Sequence, residues 1–260
     1  MKLFFIVPPQ EYNEVGSPID RVYGCNFGFD YKPPIHMLSV ASTAARAGHD
    51  VRFLDCPAEG IHAEEFEQLI RDSDLQGAFF FTPYLSVGED RKAAQFIRKH
   101  KGEAPPVVFM GAAPSWKPQQ FLDIANSWVA RGEPELTVLE LLELFECGGN
   151  PAGINGLSWM EKGTRHDNAF RDLMNVDDLP IPDRRLLLGP YRVNRLSVAS
   201  AALLDLHPAR ALDSGAGRGA LGRGSPEPVG PSVSEHLLAD QQAGEGRDDR
   251  ESGAQSDLDG

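Results

Sequence analysis

Five short apolar runs, "KLFFIV", "VRFLD", "GAFFFT", "PVVFMG" and "SWVAR", recur through the first 150 residues with stretches of helical periodicity between them. Runs that are continuously apolar, rather than alternating, belong to strands buried on both faces. Burial on both faces requires helices above and below a parallel sheet. The intervening segments fit that demand. In "IHMLSVASTAARAGHD" the residues Ile35, Leu38, Val40, Ala41 and Ala45 suit a helix lying against a sheet, and Gly48 suits its C-terminal cap. "AEEFEQLIRD", "GEDRKAAQFIRKHKG", "KPQQFLDIA" and "EPELTVLELLELFECGG" read as four further helices. The pattern predicts an α/β fold, a doubly wound parallel five-stranded sheet over residues 1–150, with the flavodoxin-like (Rossmann-like) order 2-1-3-4-5.

Residues 151–192 change character. "INGLSWMEKGTRHD" reads as a hairpin turning at Lys162–Gly163, and "VDDLPIPDRRLLLGPY" as an extended connector, because residues before proline avoid the helical region. A second break follows at 193–260. From Arg195 onward the chain has no Lys, Ile, Phe, Tyr, Trp, Met, Cys, Thr or Asn and carries 10 Gly, so it lacks the apolar surface needed to offset backbone ordering. Two readings fit: a disordered low-complexity tail, or an out-of-frame translation of a GC-rich gene, since the missing residues are largely those with AT-rich codons.

The net charge of −13 argues against the basic face that a nucleic-acid-binding domain presents and gives no polybasic patch for a membrane. No apolar run approaches the ~18 residues of a membrane span, and the six-residue run at the start is too short for a secretion signal. Cys25, Cys56 and Cys147 are odd in number and far apart, which predicts reduced thiols and a cytoplasmic protein, with no CxxC pair for a metal.

In open α/β sheets ligands bind beyond the carboxyl ends of the strands. That rule nominates the loops at 8–9, 33–36, 82–88, 111–117 and 131–135. Thr82 and Ser86 place hydroxyls just past a strand. Gly111, Ala112 and Ala113 are three small residues in a row, where a large flat ligand could approach the backbone. Gly132 and Glu133 precede a helix. Each also has a plainer role: a tight turn at Gly111, a turn start at Thr82, complementation of a helix dipole by Glu133 and Glu135, a surface pair between Arg131 and Glu133. No GxGxxG, GxxxxGK[ST] or GxSxG motif follows a strand, which argues against dinucleotide, P-loop and serine-hydrolase sites.

The ordered series "KPPIHMLSVASTAARAGHDVRFLD", "PVVFMGAAPS", "VARGEPELTVLELLE", "INGLSWMEKG" and "VDDLPIPDRRLL" resembles the N-terminal half of cobalamin (B12)-binding radical SAM proteins across about residues 1–192. The resemblance implies a cobalamin-binding Rossmann-like domain that holds the cofactor at the carboxyl edge of its sheet. Pro34, Ile35 and His36 would lie near the lower corrin face, and Thr82 and Ser86 would reach the nucleotide tail. Gly111, Ala112 and Ala113 would admit that tail, and Gly132 with Glu133 would close the far side. The DxHxxG motif whose His ligates cobalt is absent, so no metal ligand is assigned. The CxxxCxxC motif that binds a [4Fe–4S] cluster is absent too, since no cysteine follows Cys147. The chain is thus expected to be a truncated cobalamin-binding domain that does not catalyse alone, with S-adenosylmethionine and [4Fe–4S] confined to full-length relatives. The rival expectations are a cofactor-free, response-regulator-like partner-binding module and one half of a nucleotide-sugar transferase.

Overall fold

The computed structural model describes residues 1–14, 16–22, 31–189 and 191. Cys25 and the 193–260 tail lie outside the described residues. β1 (Lys2–Val7) leads through a long loop into α1 (Ile35–Arg46), followed by β2 (Asp50–Asp55), the one-turn α2 (Cys56–Glu59) and α3 (Ala63–Asp72). β3 (Gly77–Phe81), α4 (Val87–Lys101), β4 (Val107–Met110), the short α5 (Ala112–Trp116), β5 (Ser127–Ala130) and α6 (Pro134–Cys147) continue the alternation. The hairpin β6 (Leu157–Glu161) and β7 (Thr164–Asp167) completes it.

All seven strands form one sheet in the order β2-β1-β3-β4-β5-β6-β7. β1 to β5 are parallel, and β6 joins β5 antiparallel with Trp128 opposite Trp159. The expected five-strand count is therefore corrected to seven. The hairpin was visible in the sequence, but its docking was not. Leu157, Ser158 and Trp159 are buried while Met160 and Glu161 are exposed, and Leu157 and Trp159 join the core on the face shared with α1 and α6.

The two-sided burial inferred from the apolar runs is observed. Leu3, Phe5 and Val7 face α1 and α6, packing with Met37, Leu38, Ala41, Leu141 and Leu142. Phe4 and Ile6 face α3 and α4, packing with Phe66, Ile70, Ala93, Ala94 and Ile97. Each fully buried large apolar side chain contributes roughly 1.5–3 kcal/mol by removal from water, so both faces of β1 anchor the fold. Phe5 stacks on Phe79 across the strands, with centroids 4.7 Å apart.

One expected helix is absent. "KPQQFLDIA" forms only a 3₁₀ turn at Pro118–Gln120, and the helical turn falls earlier, in α5. A nine-residue segment is too short to nucleate a helix on its own. Its Phe121 is instead drawn onto the sheet, 4.8 Å from the ring of Phe109, and Asp123 is held by Arg91 at 2.6 Å. Among the described residues after the hairpin, 3₁₀ turns form at Val176–Asp178 and Arg184–Leu186.

Candidate functional site at the carboxyl edge of the sheet

The parallel register brings the ends of β1, β3, β4 and β5 to one edge, so the five nominated loops lie along a common rim. On that rim the ten nominated residues divide by exposure. Ile35, His36, Ala112, Gly132 and Glu133 are exposed. Pro34, Thr82, Ser86, Gly111 and Ala113 are buried beneath them.

Each buried residue has a visible task. Pro34 precedes the first turn of α1. The backbone of Thr82 accepts from Ala113 N at 3.2 Å and donates to Met110 at 2.7 Å, tying β3 to α5 and β4. Gly111 sits at φ +102°, and a Cβ there would stand 3.1 Å from the Thr82 backbone N and O. The lack of a side chain at 111 thus serves the approach of two strand ends, and only Ala112 of the small-residue trio faces outward. Among the exposed residues, Gly132 N donates to Ser115 Oγ at 3.0 Å, joining the loops after β4 and β5. His36 stacks on Phe81, with centroids 5.7 Å apart. Glu133 accepts from Met174 N at 2.9 Å. Arg131 does not pair with Glu133. It is buried, donates to the carbonyls of Leu157 and Asn168, and lies under the Phe170 ring with its guanidinium carbon 4.4 Å from the centroid.

Beneath the rim lies a charged cluster that the sequence did not reveal. Arg21, from the loop after β1, is 2% exposed. Its Nη1 donates to Asp90 Oδ2 at 2.6 Å, Ser86 Oγ at 2.8 Å and the Phe81 carbonyl at 3.1 Å. Its Nη2 donates to Glu89 Oε1 at 2.5 Å. Both carboxylates sit in the first turn of α4, where the helix dipole favours negative charge. Burial pushes the Glu89 carboxyl up to about 7, against the pull of Arg21, and moves Asp90 upward for the same reason. Burial opposes the charge on Arg21 as well, but Asp90 and Glu89 outweigh it and the guanidinium stays protonated. Thr82 Oγ1 has no hydrogen-bond partner at normal geometry, yet it lies close enough to Asp90 to favour that group's charged form. No sequence spacing links position 21 to 89 and 90, so only the fold could show this cluster.

The rim also exposes apolar side chains, as do the hairpin and connector at Met160, Phe170, Leu173, Ile181 and Leu188. Tyr84, Leu85 and Trp116 are 59%, 52% and 59% exposed, and Ile35 is 37% exposed. Tyr84 and Leu85 follow β3, Trp116 follows β4 and Ile35 opens α1, so all four belong to rim loops. A run such as "TPYL" or "PSW" at the end of a predicted strand was the available signal. No group of three or more His, Cys, Asp or Glu residues suited to a metal occurs among the described residues, and no described helix is long and apolar enough to cross a membrane.

The chain is similar to known proteins in sequence and in fold. One curated relative, an uncharacterized methyltransferase of Pyrococcus horikoshii, is 32% identical over 192 residues, which cover 72% of this chain and 39% of the relative. The chain thus spans about two-fifths of that relative's length. Two solved structures of the cobalamin-dependent S-adenosylmethionine radical enzyme OxsB share the fold with a TM-score of 0.54, each covering 70% of this chain and 23% of OxsB. One holds aqua-cobalamin and S-adenosylmethionine at 13% identity, the other aqua-cobalamin at 15%. No family model matches the chain. The fold is therefore an α/β, Rossmann-like one with a mostly parallel seven-stranded sheet, similar in fold to part of OxsB.

Proposed function

We propose that the chain is a cobalamin-binding domain of a radical SAM protein of methyltransferase type, presenting the cofactor on the carboxyl rim of its sheet without catalysing alone. The observation that carries this reading is the apolar outer surface of the rim. Large exposed apolar patches on a soluble fold mark a binding surface, and large cofactors are held by mostly apolar walls with a few placed polar groups. Ile35, Tyr84, Leu85 and Trp116 supply apolar contact; His36 and Glu133 supply polar groups; Ala112 and Gly132 leave room for a broad ligand. Pro34, Thr82, Ser86, Gly111 and Ala113 act from below by fixing the loops that carry those residues. The likeness to OxsB in fold and to a methyltransferase in sequence supports the same assignment.

When bound, cobalamin supplies a cobalt centre able to carry a one-carbon group; the protein's part is binding, orientation and exclusion of water. The rim offers one wall. A second would come from another part of a longer protein, in keeping with the fraction of each relative that this chain spans. The sequence contains no CxxxCxxC, so a [4Fe–4S] cluster and S-adenosylmethionine are not assigned to these residues.

The test is to incubate the purified chain with hydroxocobalamin and remove free cofactor by gel filtration. Retention of visible absorbance near one equivalent per chain is expected. Elution of colourless protein at cofactor concentrations well above micromolar contradicts the proposal.

A further inference from the structure

Beside the rim cluster, at the end of β2, one buried carboxylate gathers three segments that are distant in sequence. Asp55 is fully buried. It accepts from Tyr31 Oη at 3.0 and 3.1 Å and from Tyr191 Oη at 2.7 Å. Ala58 N donates to it at 3.3 Å as the N-terminal cap of α2. The two tyrosine rings stack, with centroids 6.2 Å apart and planes 16° from parallel. Tyr31 belongs to the loop after β1, and Tyr191 to the end of the connector. An N-cap needs one acceptor for one backbone N–H, and serine or asparagine would serve without burying a charge. The convergence of two phenols on the same group therefore asks for another role.

The rest of the connector is fitted to the same place. Asp183 N donates to Ser42 Oγ on α1 at 2.7 Å, and Leu186 and Leu187 pack on the core face shared by α1 and α6. Gly189 passes so close to α2 that a Cβ there would meet Ala58 Cβ at 2.6 Å and Ala58 C at 2.9 Å. Leu188, between them, is 69% exposed. The connector is thus held in turn at Asp183, Leu186, Leu187, Gly189 and Tyr191.

We propose that Asp55, Tyr31 and Tyr191 form a latch that fixes where the chain leaves the carboxyl edge of the sheet, with Asp55 as its positioning residue. The latch joins the loop after β1 to the connector, so whatever follows Tyr191 starts from a set point beside the rim. This inference does not depend on which ligand the rim takes. Its closure is also linked to protons. Burial pushes the Asp55 carboxyl up to about 6, opposed by Tyr191, Tyr31, the Ala58 N–H and the Arg21 charge. The other titratable groups facing it are Cys56, whose thiol burial raises, and Glu59, which accepts from Asp55 N at 2.9 Å and is itself raised by burial. Seating Tyr191 brings a phenol donor to the carboxylate and so favours its charged form. Closure releases a proton, and the latch loosens as pH falls from 7.5 to 5.5, a window that brackets about 6.

Hydrogen exchange on the full chain, with no cofactor added, tests this directly. The reporters are the amides of Asp183, Leu186 and Leu187, all hydrogen-bonded in the seated connector. Tyr191→Phe should speed their exchange by roughly 10-fold or more, the loss of one charge-assisted hydrogen bond, while α4 is unchanged. Tyr31→Phe removes the other donor without changing the core and should act in the same direction. Protection corrected for intrinsic rates should be several-fold higher at pH 7.5 than at 5.5 in the parent and equal at both in Asp55→Asn, by the linkage above. Unchanged protection in both tyrosine variants overturns the latch. A pH difference that survives in Asp55→Asn overturns the role of Asp55. Because cofactor is absent throughout, either failure is separate from a failure of cobalamin binding.

Discussion

The two edges of the sheet are built on opposite principles. At the amino edge the charges are outside: Lys2 reaches Asp74 at 2.7 Å and Asp50 at 3.9 Å, all three exposed to solvent. Arg52 lies over Phe4, its guanidinium carbon 5.4 Å from the ring centroid. A cavity of ≈ 470 Å³ opens there, lined by Lys2, Phe4, Asp50, Arg52, Asp72 and Asp74 among others. Exposed pairs of this kind are screened by salt and contribute little. At the carboxyl edge the charges are inside, on Arg21, Glu89, Asp90 and Asp55, and the apolar groups are outside, on Ile35, Tyr84, Leu85 and Trp116. Burying charge costs several kcal/mol per ion before pairing offsets it. An edge that accepts this cost while exposing aromatic rings is arranged for something other than stability.

The largest way to break this contrast is to remove Arg21. Arg21→Met strands two buried carboxylates and should lower stability by about 3–5 kcal/mol in urea unfolding, whereas Lys2→Met at the amino edge should leave the midpoint unchanged. Equal effects would show that the buried cluster has no special weight. Next comes pH. Asp55 is raised from its ordinary 3.8 to about 6 in the fold, so the folded state binds the extra proton between those values. Its contribution is present below 3.8 and is lost as pH rises through 6, roughly 3 kcal/mol at 1.36 kcal/mol per pH unit. Asp55→Asn should flatten that part of the stability–pH curve; an unaltered curve would mean that Asp55 titrates as it does in the unfolded chain. Glycine substitutions sharpen the comparison at smaller scale. Gly111→Ala, at φ +102° and facing the Thr82 backbone, should cost about 1–3 kcal/mol. Gly102→Ala, at φ +69° with open space around it, should cost about 1 kcal/mol. The smallest stability effect belongs to the rim itself: Trp116→Ala should stay within about 0.5 kcal/mol, because the ring is exposed.

Legibility in the sequence followed the range of the interactions. Strands β1 to β5 and helices α3, α4 and α6 were readable because apolar periodicity is local, and "AEEFEQLIRD" matches α3 from Ala63 to Asp72. The rim loops were readable by combining those elements with the rule for open sheets. What depended on distant pairing was not. The docking of the β6–β7 hairpin needs the edge of β5; the cluster needs position 21 folded against 89 and 90; the latch needs 31, 55 and 191 together. The loss of "KPQQFLDIA" as a helix has the same origin, since Phe121 responds to Phe109 rather than to its neighbours in sequence. Within the nominated site, sequence could not tell which small residue faces outward, because that depends on which way Gly111 turns the chain.

The central claim is that the carboxyl rim, and not the amino edge, receives the cofactor. Titration of hydroxocobalamin into three forms of the chain tests it: the parent, the rim variant Tyr84→Ala/Trp116→Ala, and the amino-edge variant Lys2→Ala/Arg52→Ala. Loss of two aromatic contacts should weaken binding about 10-fold or more in the rim variant, with the amino-edge variant matching the parent. Saturable binding that survives the rim changes and fails with the amino-edge changes, or a parent chain that binds none, would contradict the account.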